Sequence, residues 1–251
     1  MDDMSIESYL AEGGVLTNPT NVPPRYRAEL LKLMTTFVDS ELAGAAGFAD
    51  VINTGPGIKE RIAAAKIVLE KTDNADKVLN VMGEFGVDQD RYANHHPWAA
   101  RLPRDADIGA TRSERDMRLA VFNYPLEGWG DAVVMNLLMG KAVGLQLGDF
   151  KTVSYQPLAE AFRSIAPVEA RHADLAEEGL SRLMSEGQGD ALQKSVTYWW
   201  PRVAASFGTG DSERFEALSA MGLRSTANAE LKATWEDDTT SVLGSHGLKA
   251  G

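Results

Sequence analysis

The stretch Leu158–Leu183, LAEAFRSIAPVEARHADLAEEGLSRL, decides how the rest of the chain is read. Stepping by three or four from Leu158 picks out Phe162, Ile165, Glu169, His172, Ala176, Leu180 and Leu183, the apolar stripe of an amphipathic helix. Two positions of that stripe are a carboxylate and an imidazole, so both belong to a buried seam. One helical turn apart, they point the same way. Helical bundles that hold two metal ions present an inward Glu-x-x-His pair with this spacing. The same spacing also arises by chance, and a buried histidine can serve only to satisfy a hydrogen bond.

The chain has 251 residues, 44% of them apolar, enough to bury a sizeable core, and a single domain over 1–251 is expected. Lys and Arg number 25 against 36 Asp and Glu, a net charge of −11 with no basic cluster, which argues against nucleic acid and membrane surfaces as partners. The absence of cysteine excludes disulfides, thiolate metal sites and cysteine nucleophiles. Met1 to Thr20 lacks a basic segment followed by an apolar one, and no apolar run is long enough to span a bilayer. A soluble cytoplasmic protein is the expectation.

Pro23-Pro24 ends an extended N-terminal arm, 1–23, and opens a first long helix from about Arg25 to Ala46. Its stripe of Leu30, Met34, Phe37, Glu41 and Ala45 puts a second carboxylate on a buried face. After the turn signal Asn53-Thr54-Gly55-Pro56-Gly57, a second helix runs from Ile58 to about Phe85 with Ala64, Ile67, Lys71, Asn74, Val78, Val81 and Phe85 inward. Lys66, Glu70, Asp73, Lys77 and Glu84 fall about a quarter-turn away, a face laced with opposite charges at i,i+3 and i,i+4. Glu70 and Asp73 look like a carboxylate ligand pair, but their phase assigns them to the surface, leaving Lys71 and Asn74 as the inward polar groups.

Asp88 to Arg112 is an irregular connection containing His95-His96-Pro97-Trp98, whose adjacent histidines either bind a metal or line a site, or belong to simple surface cover. A short helix is expected from Glu114 to Val121, and a third long helix opening at Asn123-Tyr124-Pro125. That helix is apolar on nearly every side between Ala132 and Leu147, where Lys141 is the only charge, which marks it as the central element. The fourth runs from about Pro157 to Met184 and should kink at Pro167. A fifth carries Tyr198-Trp199-Trp200-Pro201 and ends near Gly208, followed by helical segments at about Ser212 to Met221 and Ala227 to Ser241. No stretch alternates with period two. The pattern is all-α, with a core bundle at about 25–186 and C-terminal helices at about 190–241.

Arg25-Tyr26-Arg27, Ser40-Glu41, Phe122-Asn123-Tyr124-Pro125, Trp129, Asp131, Glu169-x-x-His172 and Trp199-Trp200-Pro201 through Phe207-Gly208 occur in an order that resembles the phenylacetic acid catabolic family. Its catalytic subunit epoxidises the ring of phenylacetyl-CoA. The resemblance extends from about Pro24 to Leu248. It implies a ferritin-like four-helix bundle with additional C-terminal helices, a carboxylate-bridged di-iron centre among the four long helices, O2 activation fed by a reductase, and an aromatic acyl-CoA substrate. Residue by residue, Glu41, Glu169 and His172 match the family's ligands. Its second-helix Glu-x-x-His falls on Lys71 and Asn74, and its third-helix acid on Gly140, beside Lys141.

Half of the implied ligand set is therefore missing, and charge decides what replaces it. Two close cations in a dry interior need several carboxylates, whereas Lys71 and Lys141 would balance Glu41 and Glu169 without any metal. One expectation is thus a metal-free pseudo-centre of Glu41, Lys71, Asn74, Lys141, Glu169 and His172, in a protein with a structural or interaction role or an altered ligand chemistry. No cofactor is then needed. The alternative is an active oxygenase whose iron is held by Glu41, Glu169 and His172 with Glu70, Asp73 or a loop histidine. In either case the expected partner is a second copy or a paralogous helical subunit, with an aromatic acyl-CoA as a possible ligand.

Overall fold

The computed structural model describes residues 5–109, 116–210 and 212–251. Chain order runs α1 (Ile6–Ala11), α2 (Pro24–Val51), α3 (Ile58–Glu84), α4 (Gln89–Ala93), α5 (Trp129–Phe150), α6 (Gln156–Ser185), α7 (Gly189–Ala204), α8 (Ser212–Ala220) and α9 (Asn228–Ser245). Among the described residues there is no β-sheet, only an isolated bridge between Leu16 and Tyr155. No described helix is long and apolar enough to cross a membrane.

The four long helices α2, α3, α5 and α6 form the ferritin-like bundle. α2 lies along α3 and α5 along α6, and the two pairs meet chiefly where α3 packs on α6. Each pair is joined by a short connection, so its members run antiparallel. α5 also touches α7 and α9. This wrapping explains its composition, because every residue from Asp131 to Gly140 is buried, a run that covers all sides of the helix. One apolar cluster joins α5 to α7, α9 and the C-terminal half of α6; another joins α2, α3 and the N-terminal half of α6. The polar residues of the bundle sit between them.

Several local expectations are corrected. The segment expected as an extended arm holds α1, capped by the Ser5 hydroxyl accepting from Ser8 N at 3.2 Å, and a 3-10 turn at Pro19–Asn21. Leu16 is fully buried, and its carbonyl accepts from Gln156 N at 2.9 Å, tying this segment to the start of α6. The third long helix begins at Trp129, not at Pro125, because a 3-10 turn at Ala120–Asn123 is followed by an extended Tyr124 and by Gly128 at φ 88°. Only glycine adopts that conformation freely. Of the short helix expected at 114–121, Glu114 and Arg115 lie outside the described residues; Asp116 to Leu119 are not helical. α6 continues through Pro167 from Gln156 to Ser185.

Candidate functional site

Glu41 from α2, Lys71 and Asn74 from α3, and Glu169 and His172 from α6 meet in the centre of the bundle, each at most 5% exposed. Lys71 and Asn74 are three residues apart on one helix, as are Glu169 and His172 on the other, so each helix presents a pair from one face. Lys71 Nζ donates to Glu41 Oε1 at 3.0 Å and to Glu169 Oε1 and Oε2 at 3.2 and 3.1 Å. Asn74 Nδ2 donates to Glu169 Oε1 at 2.9 Å and to Glu41 Oε2 at 3.3 Å. One ammonium and one amide thus link both carboxyls.

The charges in this cluster are unequal. Burial, then the neighbouring Glu169 charge, push the Glu41 carboxyl up to about 8 against the pull of Lys71. Burial also opposes ionisation of Glu169, but the Lys71 charge and the contacts of His172 outweigh it and hold that carboxyl well below the usual range. Lys71 loses hydration on burial, yet Glu169 and Glu41 hold its ammonium above the ordinary lysine value. Lys71 and Glu169 are thus favoured in their charged forms and Glu41 in its neutral form, a combination that brings the three toward zero net charge.

Lys141 is not part of this cluster, which corrects the expectation of two lysines. Its side chain, 29% exposed, reaches the edge of α6 and pairs with Glu177 at 3.1 Å. Burial, by favouring neutral Glu41, removes the need for a second lysine. The surface assignment of Glu70 is also corrected: it is half-buried, and its Oε2 lies 2.8 Å from His172 Nε2 while Oε1 accepts from Arg171 at 3.2 Å. Partial burial opposes it, but those two contacts hold the Glu70 carboxyl below its usual range. Asp73 lies on the outside, paired with Lys77 at 2.6 Å. His172 Nδ1 is 3.4 Å from Glu169 Oε1 but makes no aligned hydrogen bond, and Asn74 Oδ1 is likewise unpaired.

His95 and His96 lie away from this centre. The His95 ring rests between Tyr92 and Trp98, and His96 Nε2 is 2.8 Å from Asp116 Oδ2, which also meets Arg118 Nε at 2.7 Å. Beside them Asp39 accepts from Tyr92 at 2.6 Å and from Met117 N at 2.7 Å. The loop is thereby pinned to α2. A second buried node has no counterpart among the sequence expectations: Asp131 accepts from Arg104 at 2.7 Å, Glu127 N at 2.9 Å, Ser195 at 2.8 Å and Trp199 Nε1 at 2.9 Å. The sequence marks Trp129 and Asp131 only by their order in the chain.

A cavity of about 750 Å³ opens beside the cluster, with Glu41 among its lining residues. Phe37, Phe122, Phe150, Phe207 and Phe215 contribute aromatic walls, while Lys32, Arg214 and Arg224 contribute cations. Arg214 also binds Glu29 at 2.8 Å, so α8 is tethered to α2 across the opening. The lining comes from sequence positions between 29 and 229, which is why no single motif announces it. Among the described residues, no group of three or more His, Cys, Asp or Glu side chains is arranged to hold a metal ion.

An all-α bundle built on these four long helices defines a ferritin-like protein. Residues 4–250 match the family model described as phenylacetic acid catabolic protein, and the chain belongs to that family. It is 22% identical over 228 residues to a subunit of 1,2-phenylacetyl-CoA epoxidase from Escherichia coli (strain K12), a match covering 87% of this chain and 67% of that protein. The chain is an epoxidase-subunit-like member of the family.

Proposed function

We propose that this protein is a metal-free member of its family, in which Glu41, Lys71, Asn74, Glu169 and His172 form a charge-balanced cluster where the family resemblance implies a di-iron centre, and that it serves as a structural or ligand-binding subunit. The observation that carries this reading is the Lys71 ammonium, within 3.0–3.2 Å of three carboxyl oxygens contributed by Glu41 and Glu169. A cation of this protein already fills the coordination space between those acids. The remaining donors fit a di-iron centre poorly, since Asn74 offers an amide, Asp73 points outward to Lys77 and only Glu70 adds a carboxylate near His172.

Gly140 adds independent support. A Cβ placed there would lie 3.0 Å from Ala173 Cβ and 3.3 Å from its Cα, so a side chain at this point requires α5 and α6 to give way by a few tenths of an ångström. The neighbouring cavity is within the size range of small-molecule sites, and its aromatic walls and cations suit an aromatic acyl thioester. No redox step is assigned to such a ligand.

Elemental analysis of protein expressed in iron-replete medium tests the metal-free reading. No stoichiometric iron is expected, and about two irons per chain, the content of a di-iron carboxylate bundle, would overturn it in favour of an oxygenase. Calorimetry with phenylacetyl-CoA tests the cavity separately, with binding expected to weaken in Phe122→Ala.

A further inference from the structure

The face of α2 that lines the cavity carries Glu29, Lys32, Leu33, Phe37, Ser40 and Glu41, residues recurring at the three- and four-residue spacing of one helix side. Exposure falls along it. Lys32 is exposed, Leu33 and Phe37 are half-buried, and Ser40 and Glu41 are 6% and 3% exposed. From Glu29 to Glu41 the helix rises about 18 Å at 1.5 Å per residue. The cavity therefore has a charged mouth, where Arg214 meets Glu29, and a buried end at Glu41. Of the five side chains described at the bundle centre, Glu41 is the one that also belongs to the cavity wall.

That end presents a hydrogen-bonding group that is only partly used. Lys71 and Asn74 are shared between two carboxyls, and Glu169 takes the larger part, with three bonds of 2.9–3.2 Å against one of 3.0 Å and a long one of 3.3 Å for Glu41. A carboxyl oxygen can accept two hydrogen bonds, so Glu41 keeps capacity for a further partner. Ser40 beside it is already engaged, donating to Thr36 O at 2.7 Å and accepting from Leu119 N at 3.0 Å. The surroundings are aromatic. Phe37 lies one turn away on α2, and Phe122 Cε1 and Lys71 Cδ come within 3.3 and 3.4 Å of where a Gly44 Cβ would lie, which sets the Phe122 ring beside the cluster.

We propose that the ligand of this cavity carries a hydroxyl on its aromatic ring, and that Glu41 binds that hydroxyl at the buried end. This rests on the reading of the cavity as a site for an aromatic acyl thioester. A hydroxyl both donates and accepts, so it suits the carboxyl with or without its proton. Ionised substituents are excluded by the neighbours: a ligand ammonium would lie close to Lys71, and a ligand carboxylate close to Glu41 and Glu169, with little water to screen either. The ring packs among Phe37 and Phe122, and the thioester end runs toward Lys32 and Arg214.

Calorimetric titration of the full chain with phenylacetyl-CoA, 3-hydroxyphenylacetyl-CoA and 4-hydroxyphenylacetyl-CoA tests it. One hydroxylated thioester is expected to bind at least about tenfold more tightly than the unsubstituted one, which leaves the buried acid unpaired. Glu41→Leu should cancel that difference, whereas Glu41→Gln, which keeps a polar group of the same shape, should retain part of it. The comparison of ligands on the unaltered protein decides even where Glu41→Leu fails to fold. Three thioesters bound equally would overturn the inference and leave the cavity reading standing, whereas no binding at all would remove the cavity reading and the inference together. Iron measured in the same preparation tells either result apart from a failure of the metal-free reading. A hydroxyl preference that survives Glu41→Leu would also overturn the inference.

Discussion

Replacing Lys71 by Met keeps an unbranched stem of similar length and removes only the ammonium. The side chain it replaces is 6% exposed and its partners, Glu41 and Glu169, are 4% and 2% exposed, so water cannot take over the lost contacts. Burial favours the neutral form of Glu41, and the substitution strands the Glu169 carboxylate with Asn74 Nδ2 at 2.9 Å as its remaining hydrogen-bond donor. Losing one partner of a buried pair costs about 3–5 kcal/mol. The cost should depend on pH in a determined direction. Without Lys71, Glu169 loses the largest influence that holds it below its usual range and Glu41 loses the one that pulls it down, so both folded carboxyls hold their protons more tightly than in the parent and the variant falls further behind it as pH rises. Urea unfolding followed by circular dichroism at about pH 5.5 and about pH 8 should therefore show the larger deficit at the higher pH. A deficit under about 1 kcal/mol at both, as for an exposed ion pair, or an equal deficit at both, would refute the charge-balance argument.

Three further outcomes follow from the same geometry. Glu41→Gln should flatten the parent's pH profile: the folded carboxyl keeps its proton up to about 8 while the unfolded one releases it near 4.5, so parental stability falls as pH rises across that window, by an amount on the order of a few kcal/mol, and the amide cannot titrate. Gly140→Ala should cost about 1–3 kcal/mol by forcing α5 from α6, whereas Gly144→Ala on the same helix, where nothing lies within 4 Å of the new Cβ, should stabilise by up to about 1 kcal/mol; thermal melts of the pair separate packing from helix propensity. Asp131→Ala leaves the Trp199 indole N–H and the Ser195 hydroxyl unpaired in the interior and should cost at least about 3 kcal/mol in urea unfolding, against less than about 1 for Lys141→Met at its half-exposed pair with Glu177.

The helices were legible because the stripes of α2, α3 and α6 repeat every three or four residues, and that phase also brought Glu41, Lys71, Asn74, Glu169 and His172 to one place. Lys141 was misjudged for the opposite reason. Its helix is apolar all round, so periodicity carries no information about which way one long side chain turns, and the ammonium found Glu177 at the rim. Glu70 was misassigned because phase describes where a Cβ points, not how far a neighbour reaches, and the His172 ring extends from α6 to meet it. The start of α5 was displaced by a proline that signals a helix opening at 125, when the positive φ of Gly128 sets the actual boundary. The cavity has no local signature, since its walls are brought together only by the fold.

The close approach of α5 and α6 at Gly140 bears on how such a core can change. Lys71→Glu alone would crowd three acids around an uncompensated centre. Asn74→His alone would remove the amide that links Glu41 to Glu169, and an acid at position 140 alone would push two helices apart. On the metal-free reading proposed above, each of these single steps is expected to give a less stable protein before any metal can offset the loss. If the core is metal-free as proposed, a valley separates it from a metal-binding one, and an intermediate along that route would need its stability raised elsewhere in the fold first.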